Sequence, residues 1–345
     1  MEISNDFSLT HPENPTTQWR LEKPNTNLNS QIHSLKFDQF DRYLAIQHST
    51  SQLTLYSITN LSKSLQSLSP SIHPQVSQDT NPCIKWKPGC RNKAVFISLN
   101  TDGSLDHWNA NSSKPDYRLF DSHSLAVCAD FAPDGKSFAF GTSNRNVVVM
   151  DEAYSKAIHC FQPGTGGFIG HSGRITCVKF DPENSNVLAS AGSDRLVQVW
   201  DLRIARAVKA IFGPDIRNDA LDIRDNAILA GSCRETECLQ VFDISTGVLI
   251  YNIDQVSPPP VSGLNVLSCQ FSPSNRGLQI LLVMPWSLQV FDTVRSNNQI
   301  LLFTPKNSSN FTSATFLNTS LDICLSTDSN PPNIFYLKPS TNLNK

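Results

Sequence analysis

Residues 170–201 read GHSGRITCVKFDPENSNVLASAGSDRLVQVWD. A Gly-His pair (Gly170, His171) opens the stretch and a Trp-Asp pair (Trp200, Asp201) closes it. Between them lie two alternating apolar runs, Ile175/Cys177/Val178/Phe180 and Leu196/Val197/Val199/Trp200, and Gly192-Ser193-Asp194 forms a turn into the second. Apolar alternation at a period of two marks strands, and Gly-Ser-Asp punctuation marks the bend between them. Such a unit cannot bury both of its own faces, so one good copy predicts several more.

The other copies appear when the pattern is moved along the chain. Phe180 ends the second strand of the template, and its equivalents are Phe37, Trp86, Phe131, Ile223, Phe271 and Phe316, spaced 43–49 residues apart. Trp200 ends the third strand, with equivalents Tyr56, Trp108, Met150, Phe242, Phe291 and Tyr336 at intervals of 42–52. Two ladders sharing one period imply a repeat architecture of seven units with no room for an eighth.

The quoted stretch resembles a WD40 repeat, the four-stranded blade of a β-propeller, and the resemblance extends over 31–338. It implies an all-β, seven-bladed propeller forming one domain over 1–345. The blades are placed near 31–60, 81–115, 122–158, 170–210, 213–252, 262–300 and 307–338. Residues 1–30 are an arm whose segment Thr17–Leu21 supplies the outer strand of the last blade, and 61–80 reads as a Ser/Pro-rich insertion where the outer strand of blade one and its exit loop belong. A second proline-rich connection, 257–263, leads into blade six. The family's buried tetrad maps onto His171, Ser190, Asp194 and Trp200; the second unit keeps Ser98, Asp102 and Trp108 without a histidine. In unit three the same places hold Phe140, Asn144 and Met150. The family's channel-lining position, four before the second-strand aromatic, maps onto His33, Pro82, Val127, Thr176, Leu267 and Thr312. That set is mixed and mostly apolar, and suggests no particular peptide class.

Composition fits a ring of small cores. Charged residues are 17% of the chain, below the roughly 25% of an average globular domain, while 39% are hydrophobic and 19 are phenylalanine. A single core rarely grows past about 250–300 residues, a limit that blades packing only on their neighbours avoid. The N-terminal stretch has no positive n-region and no apolar core, and no run approaches the roughly 18 apolar residues of a membrane span. The reading is a cytoplasmic protein, with the nucleus as the alternative. Nine cysteines lack paired zinc spacing and sit mostly within strands as small hydrophobes.

Catalytic motifs are not visible. Phosphate loop, G-x-S-x-G elbow and H-E-x-x-H are all missing, and Gly164-Thr165-Gly166-Gly167 lacks the Lys-Ser/Thr that a phosphate cradle needs. The expectation is a non-enzyme with no cofactor, no metal and no small-molecule substrate. Basic clusters at Lys85/Lys87/Arg91/Lys93 and Arg203/Arg206/Lys209 stand against a net charge of −2, which argues against nucleic acid.

What remains is a protein-interaction scaffold, a monomer working within a multiprotein complex. Leu188–Arg203 also resembles the Trp-Asp-x-Arg box of substrate receptors of cullin–RING ubiquitin ligases, which implies an adaptor-facing Arg203 supported by Asp201 and Asp194. The segment from Gly213 to Arg234 resembles a variant blade of an uncharacterised WD40 subgroup, which leaves a cytoskeletal or ciliary scaffold as a further alternative, beside a nucleic-acid-associated factor.

Overall fold

In the computed structural model, the described residues are 7–10, 18–22, 30–50, 52–57, 60–68, 82–91, 94–164, 170–234, 236–253, 266–273, 279–292, 298–305, 309–329 and 333–340. Every regular element among them is a strand. Two precede the repeats, β1 (Phe7–Thr10) and β2 (Gln18–Glu22). Blade one holds β3 (Ile32–Phe37), β4 (Tyr43–His48), β5 (Leu53–Ser57) and β6 (Asn60–Leu68). Blade two holds β7 (Cys83–Trp86), β8 (Val95–Leu99), β9 (Leu105–Asn109) and β10 (Tyr117–Leu119). Blade three holds β11 (Ala126–Phe131), β12 (Ser137–Thr142), β13 (Val147–Asp151) and β14 (Lys156–Phe161). Blade four holds β15 (Ile175–Asp181), β16 (Asn184–Gly192), β17 (Leu196–Asp201) and β18 (Arg206–Phe212). Blade five holds β19 (Leu221–Arg224), β20 (Ala227–Gly231), β21 (Leu239–Asp243) and β22 (Leu249–Ile253). Blade six holds β23 (Ser268–Phe271), β24 (Gln279–Met284), β25 (Ser287–Asp292) and β26 (Asn298–Pro305), and blade seven β27 (Phe311–Phe316), β28 (Ile323–Thr327) and β29 (Asn333–Ser340).

Each group is one antiparallel sheet, and the first strand of each packs on its two counterparts, β27 against β3 included. The chain is therefore an all-β seven-bladed propeller. It is closed by β2, which pairs with β29 from Gln18↔Ser340 to Glu22↔Tyr336 and completes blade seven with an outer strand from the other end of the chain. Closure pairs the edge of β29 that would otherwise lie bare, and unpaired edges invite aggregation. β1, outside every repeat, adds a fifth strand to blade six along β26.

Two sequence assignments need correction. Residues 61–68 are not insertion: they belong to β6, which pairs with β5 from Leu53↔Leu68 to Ser57↔Asn60 as the outer strand of blade one. Outer strands are mostly exposed, as β14 and β18 show, so burial does not oblige them to be apolar, and β6 is largely Ser, Lys and Gln. The remainder of that segment, with Ser69-Pro70, lies outside the described residues, as do 257–263 and 165–167. In blade seven the third-strand equivalent is Leu337, not Tyr336. The register runs Phe316↔Ile323↔Leu337, as Phe180↔Leu188↔Trp200 does in blade four. A shift of one residue reverses the face. Tyr336 thus packs forward on Phe37 of blade one, with ring centroids 6.3 Å apart, whereas Trp200 packs back on Phe161 of blade three at 4.5 Å.

The blade interfaces are close-packed. In blade two, Phe96 lies between Trp86 at 4.9 Å and Trp108 at 6.2 Å, and both Phe96 and Trp108 are fully buried. Between blades three and four the approach is closer still, because a Cβ on Gly141 would lie 2.2 Å from Ile175 and 2.8 Å from Cys128 Sγ. Gly141→Ala is expected to destabilise the protein by about 1–3 kcal/mol through overpacking. Urea unfolding of the variant checks this.

Candidate functional site in the central channel

Blade four carries a complete buried polar chain. The Trp200 indole N–H donates to Ser190 Oγ at 2.8 Å, and His171 Nε2 lies 2.8 Å from the same oxygen. His171 Nδ1 lies 3.0 Å from Asp194 Oδ2, which also accepts the Ser172 N–H at 2.8 Å. An indole can only donate, so the Ser190 proton points to Nε2 and the imidazole proton sits on Nδ1, facing the carboxylate. Gly192 makes the approach possible: a Cβ there would lie 2.6 Å from Asp194 Oδ1 and 2.8 Å from His171 Nδ1. Burial works to raise the Asp194 pKa, but the His171 contact and the backbone N–H groups of Ser172 and Gly173 outweigh it and hold the carboxyl below its ordinary value.

Blade two splits the equivalent residues. Trp108 donates to Ser98 Oγ at 2.9 Å, but Asp102 turns to the Ser104 hydroxyl and N–H at 2.6 and 2.9 Å. Deeper in that blade, Arg118 grips the fully buried Asp106 with two bonds of 2.6 and 2.7 Å. These networks hold blades; they do not face a ligand.

The channel is a different matter. Of the six lining positions read from sequence, His33, Val127, Thr176 and Thr312 are the residues skipped where the inner strand shifts register against its partner. Such bulges re-aim a side chain out of the ladder. Yet the structure does not bring all six together. His33, Pro82, Leu267 and Thr312 border a cavity of about 170 Å³ at one end of the channel. Val127 and Thr176 are buried instead, with Thr176 Oγ1 donating to Ile216 O at 2.7 Å.

The residue missed is Asp219. It stands four before Ile223, so the same offset applied to the weakest repeat finds it. Asp219 lines the narrow cavity and accepts both bonds of Lys85 Nζ, at 2.9 and 3.0 Å, while Lys36 Nζ approaches to 3.6 Å. One carboxylate on blade five thus ties blades one and two across the axis. Burial alone would raise its pKa, but Lys85, Lys36 and Lys179 together hold it far below the carboxylate range. For Lys85, desolvation is outweighed by Asp219 and Asp130, which hold its ammonium well above the usual lysine value.

A second ring follows from the position just before each second-strand aromatic: Lys36, Lys85, Asp130, Lys179, Asp222, Gln270 and Thr315. From blade three to blade six each is linked to the next blade. Asp130 accepts the Phe180 N–H at 2.9 Å, Lys179 pairs with Asp222 at 3.3 Å, Asp222 accepts the Phe271 N–H at 2.8 Å, and Thr315 donates to Gln270 at 3.1 Å. All seven border a wider cavity of about 440 Å³ at the opposite end. Antiparallel pairing places the ends of β15 and β17 together, so Arg203 lies on this same wide face.

Arg203 is 65% exposed and chelated by Asp201, with Nε–Oδ1 3.0 Å and Nη2–Oδ2 2.6 Å. Asp194, expected to support it, lies instead in the turn at the other end of β17, bound to His171. Two members of the basic cluster of blade two are engaged, Lys85 on Asp219 and Lys87 on Glu152 at 2.6 Å, and Lys93 lies outside the described residues. Among the described residues no group of three or more His, Cys, Asp or Glu could hold a metal, and no helix is long and apolar enough to cross a membrane.

Comparison with known proteins agrees with this architecture. The model of the WD domain, G-beta repeat, matches residues 164–201. Over 159 residues the chain is 29% identical to an uncharacterized WD repeat-containing protein of Schizosaccharomyces pombe, covering 45% of this chain and 42% of that one. It is 28% identical over 126 residues to WD repeat-containing protein 70 of Xenopus laevis, covering 34% and 19%. It is 24% identical over 177 residues to histone acetyltransferase type B subunit 2 of Candida glabrata, covering 50% and 39%. The chain spans less than half the length of each of these relatives. The repeat match, the WD repeat-containing relatives and the seven blades together support a protein of the WD40 superfamily.

Two outcomes test the site's energetics. The Asp194 carboxyl is depressed in the folded state, so its contribution is present above the ordinary value of 3.8 and fades as pH falls below it. The stability gap between wild type and Asp194→Asn, about 1–3 kcal/mol near neutral pH, is expected to narrow in acid when urea unfolding is repeated across pH. Asp219→Ala strands Lys85 beside the channel and is expected to cost about 2–4 kcal/mol, below the fully buried figure because the Asp219 side chain is 29% exposed. Lys85→Met in that background should recover most of the loss.

Proposed function

We propose that this protein is a non-catalytic scaffold that binds other proteins through the wide face of its channel. The observation that carries the reading is the 440 Å³ mouth, to which every blade contributes through a fixed ring of polar side chains. A rigid ring with a concave polar opening is suited to holding a partner's loop, because little ordering cost is incurred on the propeller's side. The reactive groups at the axis are engaged in structure. Burial pushes the thiols of Cys83, Cys128, Cys177 and Cys269 upward, so they stay neutral, and Lys85 is locked on Asp219. One relative is, by its name, a subunit of a histone acetyltransferase, a scaffold's usual place within a larger assembly.

A second reading has one observation in its favour. Arg203 projects from the wide face with its guanidinium pre-set by Asp201, as an adaptor contact of a cullin–RING substrate receptor would require. Affinity purification of the full chain with mass spectrometry separates the two. The scaffold reading expects a stable set of co-purifying proteins whose capture is unchanged in Arg203→Ala; recovery of a ligase adaptor that is lost in Arg203→Ala would favour the receptor. Capture of no protein by wild type would overturn both.

A further inference from the structure

Charges at the wide mouth do not pair one to one. Lys36, Lys85, Lys179 and Arg224 border it as cations, and Asp130 and Asp222 as anions, with Asp219 behind. Asp219 takes two hydrogen bonds from Lys85 and one from Cys177 Sγ. Asp130 is occupied by the Phe180 N–H, and Asp222 by the Phe271 and Ile223 N–H groups and by Lys179. Arg224 donates to the Pro273 carbonyl at 3.0 Å. Lys36 is the ammonium held most loosely, sharing Asp219 with Lys85 as a longer ion pair. Its approach to Asp219, at 3.6 Å, is outside hydrogen-bond reach, and its side chain retains 20% exposure at the waist between the two cavities. Burial lowers its pKa; Asp219 opposes that, and the nearby Lys85 and Lys179 add to it. An anion at this point would relieve both the desolvation and the repulsion.

The walls narrow the chemistry further. Pro88, Pro133, Pro182 and Pro273 line the mouth, two residues beyond the second-strand aromatic in four blades, whereas Phe37, Phe131, Phe180 and Phe271 are buried in the blade packing. Proline has no N–H, so these rim positions offer an anion no backbone donor and provide rigid apolar surface instead. Donors are concentrated on the floor, at Lys36 and Lys179, the latter 28% exposed. A ligand suited to this site has an apolar stem and a single anionic tip.

Resting on the scaffold reading, we propose that the wide mouth receives a glutamate side chain from an extended acidic segment of a partner protein. Its methylenes lie against the proline rim and its carboxylate is held between Lys36 Nζ of blade one and Lys179 Nζ of blade four. Lys85 stays on Asp219 and closes the floor. Recognition therefore reads charge and stem length together.

The test uses the full chain on a peptide array with degenerate flanks and one fixed central residue: Glu, Gln or phosphoserine. Glu-centred peptides are expected to be retained at least about tenfold better than Gln-centred ones, a difference of about 1.4 kcal/mol. The preference should vanish in Lys36→Gln/Lys179→Gln, persist in Lys36→Arg, and be unaffected by Lys156→Gln on the exposed outer strand of blade three. Equal retention of Glu and Gln peptides would overturn the proposal. So would phosphoserine exceeding Glu about tenfold, or an equal loss in Lys156→Gln, which would mean diffuse attraction. Thermal melting establishes that each variant folds; Asp219 keeps Lys85 as its counter-ion in all of them, and Lys179→Gln alone serves if the double variant unfolds. Parallel affinity purification separates the two levels of the argument. If the double variant captures the same partners as wild type, the mouth proposal fails and the scaffold stands; if wild type captures nothing, the scaffold reading fails.

Discussion

Seven inner strands must meet at one axis, and the ring must close for any of them to be buried. That requirement sets the rest of the structure. A blade has two faces, each covered only by a neighbour, so the polar edge of every inner strand ends at the channel. There the packing cannot be wholly apolar, because backbone edges and the side chains of adjacent strands converge on a narrow water-accessible space. The chain meets this with inner-strand bulges at His33, Val127, Thr176 and Thr312, and with ionic contacts that run from blade to blade. The Lys85–Asp219 pair crosses the axis itself and joins blades far apart in sequence. Buried pairs of this kind add little net stability, yet losing one partner leaves a costly charge, so they act mainly as a constraint on how the blades sit together.

Two polar systems thus divide the labour. The His171–Asp194–Ser190–Trp200 chain ties the loop before blade four to its strands, at the end of the blade opposite the wide mouth. It is fully satisfied and buried, which makes it a fastening. The channel ring is only partly satisfied and borders open space, which makes it available to a partner. A buried histidine beside a carboxylate would ordinarily draw attention as chemistry, but each of its ring nitrogens is already committed within the blade.

Much of the fold was legible because it rests on periodicity. The ladders of Phe180 and Trp200 equivalents located seven blades, and the Thr17–Leu21 alternation located the closing strand. What was not legible has physical causes. β6 is hidden because an outer strand needs few apolar residues, and β1 because it completes no repeat. Tyr336 misled because its neighbour Leu337, one residue along, takes the blade-facing position. The site was read one step short. The tetrad of blade four was visible in its motif, but the lining offset was applied to six blades and not to Ile223, where it yields Asp219. Lys36 and Lys179 drew no notice and Lys85 was read within a basic cluster, because sequence does not show that three separate blades direct them to one opening.

Lysine footprinting shows whether partners engage the wide mouth of the channel. The full chain would be acylated free and while holding its captured partners, and each lysine quantified by mass spectrometry. Lys36 and Lys179 are predicted to lose reactivity in the complex while Lys156 and Lys209 on the outer strands keep theirs. Unchanged labelling of Lys36 and Lys179, with protection confined to the outer strands, would contradict that engagement.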